Sequence, residues 1–203
     1  MPISFDNLLD YGAIAIALLY TIISHECAHG IVAGWNGDST ARDEGRITLN
    51  PIPHLDILGA LSLLLFHFGW AKPVPINPRK FRHLRRGLFT VSLAGVTINF
   101  LSAAAALWIS KFVPPSSRFF QPLLSYIVIY GVSFAVFNLL PIPPLDGSKV
   151  IMSFLPQSFW DPIDRAEKLT IWILPILVFT GFLGKILGPL FQRALSLLFH
   201  LIY

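Results

Sequence analysis

The chain has 203 residues, of which 54% are hydrophobic and only 13% charged, with a single cysteine. Soluble domains carry about 25% charged residues, so this composition excludes an ordinary soluble protein, and one cysteine excludes an internal disulfide. The formal net charge of +4 does not signal a nucleic-acid partner, because one loop holds most of it and membrane topology accounts for that loop.

Five apolar segments follow one another, at about 8–35, 57–70, 87–112, 119–140 and 169–190, with a last stretch at 191–203. A helix needs about 20 apolar residues to cross the hydrocarbon core. Gly87–Ser110 and Phe119–Leu145 are uncharged over more than that length, and Tyr11–Asn36 would be too but for His25, Glu26 and His29. The N-terminus carries Asp6 and Asp10 rather than a basic region, so the first segment is expected to be retained rather than cleaved. Segment 57–70 is short for a span and suits a re-entrant or interfacial piece. Lys72, Arg79, Lys80, Arg82, Arg85 and Arg86 lie in one loop without an acid. The positive-inside rule puts that loop in the cytoplasm, makes the third segment run outward and sends the fourth inward; the first runs inward beside it if segment 57–70 does not cross, and the other way round if that segment is a short true span. Trp35, Trp70 and Trp160 suit interfacial anchors, and His67, His83 and His200 read as surface or interfacial histidines.

The first segment contains His-Glu-Cys-Ala-His-Gly at 25–30. Residues four apart share a helix face, about 6 Å apart along the axis, so His25 and His29 can hold one metal ion together. Glu26 stands beside them as a general base. Ionisable groups in a membrane helix are costly and are functional by default. Cys27 falls on the opposite face and reads as a packing thiol. A catalytic zinc takes three protein ligands and an open position. The third candidate is Asp146, at the end of Asn138–Gly147, Asn-Leu-Leu-Pro-Ile-Pro-Pro-Leu-Asp-Gly. Its three prolines prevent a regular helix, and irregular backbone at membrane depth is tolerated only inside protein or beside a watery cavity. Asn138 and Asn99 both lie in apolar helices, where either can stabilise an oxyanion or hold substrate backbone, or simply bond another helix. His54 and Asp56 read as a loop contact, with a supporting role toward the metal ligands as the alternative.

The two motifs together resemble the site-2 protease family (M50) of intramembrane zinc metallopeptidases. Gly45–Gly59 and Phe68–Pro78 are similar to its short subgroup without PDZ or CBS domains. The resemblance covers roughly residues 20–150. It implies one zinc per chain on His25, His29 and Asp146, with Glu26 as base, and a membrane-spanning protein as substrate. The family's middle core helix often reads Gly-Pro-x-x-Asn. Here Gly95–Asn99 has Val96 in place of the proline, which touches a helix kink and not the zinc site.

The expected fold is an all-α multi-pass membrane protein with a three-helix catalytic core, a short re-entrant or interfacial segment, small extended strands and one or two C-terminal helices. The chain is expected to be one peptidase domain, with its core at about 8–150 and a C-terminal helical segment at 168–203. The extended-favouring stretches Gly45–Asn50 and Trp70–Asn77 offer an edge for β-addition of an unwound substrate. The expected place is the cell membrane, a prokaryotic plasma membrane, with the site toward the cytoplasm. Two other functions fit membrane histidines and acids: a metal or ion transporter, and a scaffold that binds transmembrane segments without cutting. Neither a repeat nor paired broken helices favours the transporter.

Overall fold

The computed structural model describes residues 5–66 and 70–203; His67 lies outside them. The described residues are all-helical. Helix α1 (Phe5–Trp35), a short α2 (Thr40–Asp43), α3 (Ile57–Phe66), α4 (Leu84–Ser110), α5 (Phe120–Asn138), α6 (Asp146–Phe154), α7 (Trp160–Phe179) and α8 (Phe182–Ile202) follow in order. Four of them are long and apolar enough to cross a membrane: Leu8–Trp35 of α1, then α4, α5 and α8.

Helix α1 packs through one ladder. Ala13, Ala17, Thr21, His25, His29 and Ala33 recur every four residues, and all are buried. Small residues let helix backbones approach closely where lipid offers no hydrophobic push between helices. The same economy operates between α4 and α5, where a Cβ on Gly131 would come within 2.8 Å of the Asn99 carbonyl oxygen. Contacts of Tyr20 with Ser102 and of His29 with Val91 show α1 and α4 running antiparallel. Helix α5 returns beside both, so α1 and α5 run the same way. Ala103, Ala106 and Leu107 of α4, Val128, Val132 and Val136 of α5 and Leu198 of α8 form the largest apolar cluster.

Residues 36–66 and 70–83 form a cap over one end of α1, α4 and α5. The chain leaves α1 at Asn36 and comes back beside it, with Arg82 N–H donating to the Asn36 carbonyl at 2.9 Å. Within the cap, α3 has 10 residues, about 15 Å at 1.5 Å per residue, half of a hydrocarbon core. Leu55 pairs with Ala71 in a β-bridge, and Lys72 N–H donates to the His54 carbonyl at 2.8 Å. The segment between them therefore starts and finishes at one place, as a re-entrant or interfacial excursion must.

Two expectations need correction. The small extended strands are absent among the described residues: 45–50 and 70–77 are mostly irregular or extended chain, and the Leu55–Ala71 bridge is the pairing that forms. Their prolines and their side-chain anchors take the backbone groups a ladder would need. The bounds of the fifth segment, 169–190, are also off: the chain divides it between α7 and α8, which make up two C-terminal helices. Gly181, with φ of 70°, ends α7 in the left-handed conformation that glycine adopts without a Cβ penalty. Residues 191–203 then continue α8 through Ile202 rather than forming a separate piece.

Candidate metal centre

His25 and His29 stand on the buried ladder of α1 because the four-residue spacing returns to nearly the same face. Asp146 arrives from outside any long helix. Helix α5 ends at Asn138, and the proline-rich turn unwinds the chain before α6 restarts at Asp146. The turn is packed in place by Leu140 and Leu145 against Leu174 and Leu183. Gly147 allows the turn to close on itself, since a Cβ there would lie 2.3 Å from the Leu139 carbonyl oxygen.

These elements bring three atoms into one triangle. His25 Nε2 and His29 Nε2 are 3.0 Å apart, and each lies 3.2 Å from Asp146 Oδ2. Both histidines are 6% exposed, and Asp146 Oδ2 is buried without a hydrogen-bond donor. Burial works against the Asp146 carboxylate, but imidazoles that carry a proton toward it outweigh that and hold its pKa well below the usual carboxylate range.

The outer ring nitrogens decide what the inner ones offer. His29 Nδ1 lies 2.7 Å from the Val91 carbonyl oxygen and donates its proton there, leaving Nε2 as a bare lone pair. The Asn99 amide nitrogen lies 3.1 Å from His25 Nδ1, while the Asn99 oxygen is buried and unpartnered. Rotating that amide by 180° gives the oxygen a donor in His25 Nδ1–H and bares His25 Nε2 as well. Three lone pairs then converge within about a hydrogen-bond length, an arrangement stable only with a cation or a proton among them. Two imidazoles and one carboxylate are the borderline donors that zinc takes, with a coordination position left over, so the residues present fit that ion. Gly95 makes room for this arrangement: a Cβ there would meet the His25 ring at 2.4 Å. Gly95 and Asn99, one turn apart on α4, thus face His25 together.

Glu26 is placed from the cap, not from the helices. Its Oε2 accepts the Val74 N–H at 2.8 Å. Gly30 permits this closeness, with Ala41, Ile47 and Val74 side-chain atoms 3.1–3.2 Å from where a Cβ would stand. Cys27 Sγ donates to the Thr48 carbonyl at 3.2 Å, and His54 Nε2 donates to the same carbonyl at 2.9 Å. His54 therefore braces the cap one step removed from the motif helix. Asp56 caps α3, accepting the Gly59 N–H at 2.8 Å.

The two asparagines part company. Asn99 is fully buried against His25. Asn138 is partly exposed and its amide donates back to the Phe134 carbonyl at 3.0 Å, one turn down its own helix. Sequence reasoning passed over two groups that the fold puts close to the motif, Arg46 and Asp38. Neither is given a role by the sequence, yet they are 8% and 1% exposed. Nothing in the residue pattern marks them, because each has a partner among the backbone atoms of the distant stretch 72–77.

Comparison with known proteins agrees with this geometry. Residues 115–181 match the family described as peptidase family M50. The chain is 32% identical over 192 residues to a Bacillus subtilis protein named "Putative zinc metalloprotease YwhC", covering 91% of this chain and 87% of that one. It is 27% identical over 173 residues to "Putative zinc metalloprotease Rip2" of Mycolicibacterium smegmatis, covering 82% of this chain and 66% of that protein. No solved structure matches the chain.

Proposed function

Because the chain belongs to peptidase family M50, we propose that it is an intramembrane zinc endopeptidase that hydrolyses peptide bonds of membrane-spanning proteins. His25, His29 and Asp146 hold one zinc per chain and Glu26 is the general base. The observation that carries this reading is the triangle of acceptors, two of them beside a glutamate on a helix long and apolar enough to cross a bilayer and the third on Asp146. Zinc bound there supplies a Lewis acid that activates water at neutral pH and polarises a carbonyl.

The chain's own residues do the rest. Val74 N–H fixes one oxygen of Glu26 and leaves the other to take a proton from the attacking water and to give it to the leaving amine. Val91 and Asn99 orient the two imidazoles, which keeps their lone pairs on the centre. Asn138 is the amide assigned to the oxyanion or the substrate backbone, once it leaves the Phe134 carbonyl. A substrate helix must unwind before its peptide bond can be reached, and the exposed Leu49 and Trp70 sides of the two extended stretches are where an unwound segment would lie. The catalytic core is residues 8–150 of one peptidase domain. The basic residues of the cap assign it, and the site beneath it, to the cytoplasmic side of a prokaryotic plasma membrane.

The test is zinc content and cleavage of a model transmembrane substrate, compared among wild type, Glu26→Gln and Asp146→Ala. Glu26→Gln should keep its zinc and lose turnover. Asp146→Ala should lose zinc and turnover together. A zinc-free wild type would sink the proposal, and flux of an ion through Glu26→Gln would favour the transporter.

A further inference from the structure

Arg46 is a buried cation with no carboxylate in ion-pair range among the described residues. Burying a charge is costly unless hydrogen bonds satisfy it, and here the partners are carbonyls. Its Nη2 donates to the Lys72 oxygen at 2.9 Å and to the Pro73 oxygen at 3.1 Å. The Pro73 carbonyl belongs to the same peptide group as the Val74 N–H, and that N–H donates to Glu26 Oε2. One planar peptide therefore has a guanidinium on its oxygen and a carboxylate on its hydrogen.

We infer that Arg46 is a positioning residue for Glu26, acting through the Pro73–Val74 peptide. This rests on the reading of Glu26 as the general base. Peptide planarity makes the link rigid, so fixing the carbonyl direction fixes the N–H direction. The guanidinium also draws electron density toward the carbonyl and strengthens the N–H as a donor, since hydrogen bonds in series polarise one another. The other end of the same stretch is held separately, by Asn77 N–H donating to the buried Asp38 Oδ2 at 2.6 Å. Asp38 thus anchors the strap, while Arg46 sets the peptide that meets the base. Pro73 and Pro75 on either side of Val74 carry no N–H of their own and stiffen the segment. The α1 side is fitted to receive it, because Gly30 brings the Val74 side chain to within 3.2 Å of the Cβ position.

The experiment combines amide exchange with steady-state kinetics on the full chain in detergent. Since neither Pro73 nor Pro75 has an amide, the Val74 signal can be isolated. Arg46→Met and Glu26→Ala should each lower protection of the Val74 amide by about tenfold or more while amides of α1 stay protected. Arg46→Met should lower kcat by about 10–100-fold, the range for groups that orient a functional residue from behind, with zinc retained and KM nearly unchanged. Arg46→Lys should recover part of it. Val74→Pro, which deletes the donor, read against Val74→Ala, which keeps it while removing the side chain beside Gly30, should match Arg46→Met, and the double variant of Arg46→Met and Val74→Pro should be no worse than either. Unchanged Val74 protection in Arg46→Met, or protection lost across all of α1, would overturn the inference. A wild type that shows the exchange coupling but no cleavage would keep the inference and remove the proteolytic reading instead.

Discussion

Helix α1 buries Thr21, His25 and His29 on a ladder of alanines, whereas the cap buries Asp38, Arg46 and His54 in a chain with little repeating structure. In the helix the backbone is already paired, so the two imidazoles are free to point at each other and at Asp146, while Thr21 donates to the Ala17 carbonyl. In the cap the backbone groups are unpaired by any ladder, and buried polar side chains bond to them instead. Arg46 takes the Lys72 and Pro73 carbonyls, Asp38 takes the Asn77 and Thr40 N–H groups, and His54 takes the Thr48 carbonyl. The helix supplies two of the three candidate metal donors, His25 and His29, and the cap supplies the N–H that meets Glu26. A regular element can present chemistry at a fixed spacing, while an irregular one can cover a site only if side chains replace its missing ladder.

The largest expected effect lies at Gly147, which closes the turn that brings Asp146 to the two histidines of α1. In Gly147→Ala the new Cβ would lie 2.3–2.5 Å from Leu139 and Leu140 backbone atoms, which cannot swing aside as a flexible side chain could. The cost should be about 1–3 kcal/mol of overpacking, and because Asp146 is the adjacent residue, zinc affinity should fall with it. A competition titration against a chelator measures this, and unchanged affinity would mean the turn relaxes without moving Asp146.

A smaller effect separates the two asparagines. Asn99→Ala should weaken zinc binding by about 10–100-fold, as loss of a group orienting a ligand does, whereas Asn138→Ala should leave zinc affinity unchanged because its amide is bonded within α5. Equal zinc affinities in the two variants would dissolve the distinction.

The smallest effect lies at Asp38. Burial works against its charge, but the Thr40 hydroxyl, the Asn77 and Thr40 N–H groups and the Lys80 ammonium together hold its carboxyl below the ordinary value. A folded-state pKa below the unfolded one, near 3.9, adds stability that is fully present above about pH 4 and is lost as pH falls through the folded value. Wild type should then exceed Asp38→Asn in thermal stability at neutral pH, with the gap closing below about pH 4. A gap independent of pH would show that the carboxylate charge contributes nothing there.

Much of the fold and the centre was legible in the sequence. The apolar runs gave α1, α4 and α5, because hydrocarbon thickness fixes how many residues must avoid charge, whereas the bounds 169–190 and 191–203 cut across α8. His25, Glu26 and His29 were legible because helix periodicity converts a spacing of four into a shared face. Asp146 was legible from the prolines before it and its isolation at the end of an uncharged run. The break at Gly181 was harder to see, since glycine is common inside membrane helices and only its left-handed backbone distinguishes a stop from a spacer. The placement of Arg46, Asp38 and Asn99 came from tertiary structure alone. Their partners are a peptide group 27 residues away, an N–H 39 residues away and an imidazole 74 residues away. Periodicity speaks for neighbours along one element. It is silent about which carbonyl a guanidinium will find once the chain has folded back over its own motif.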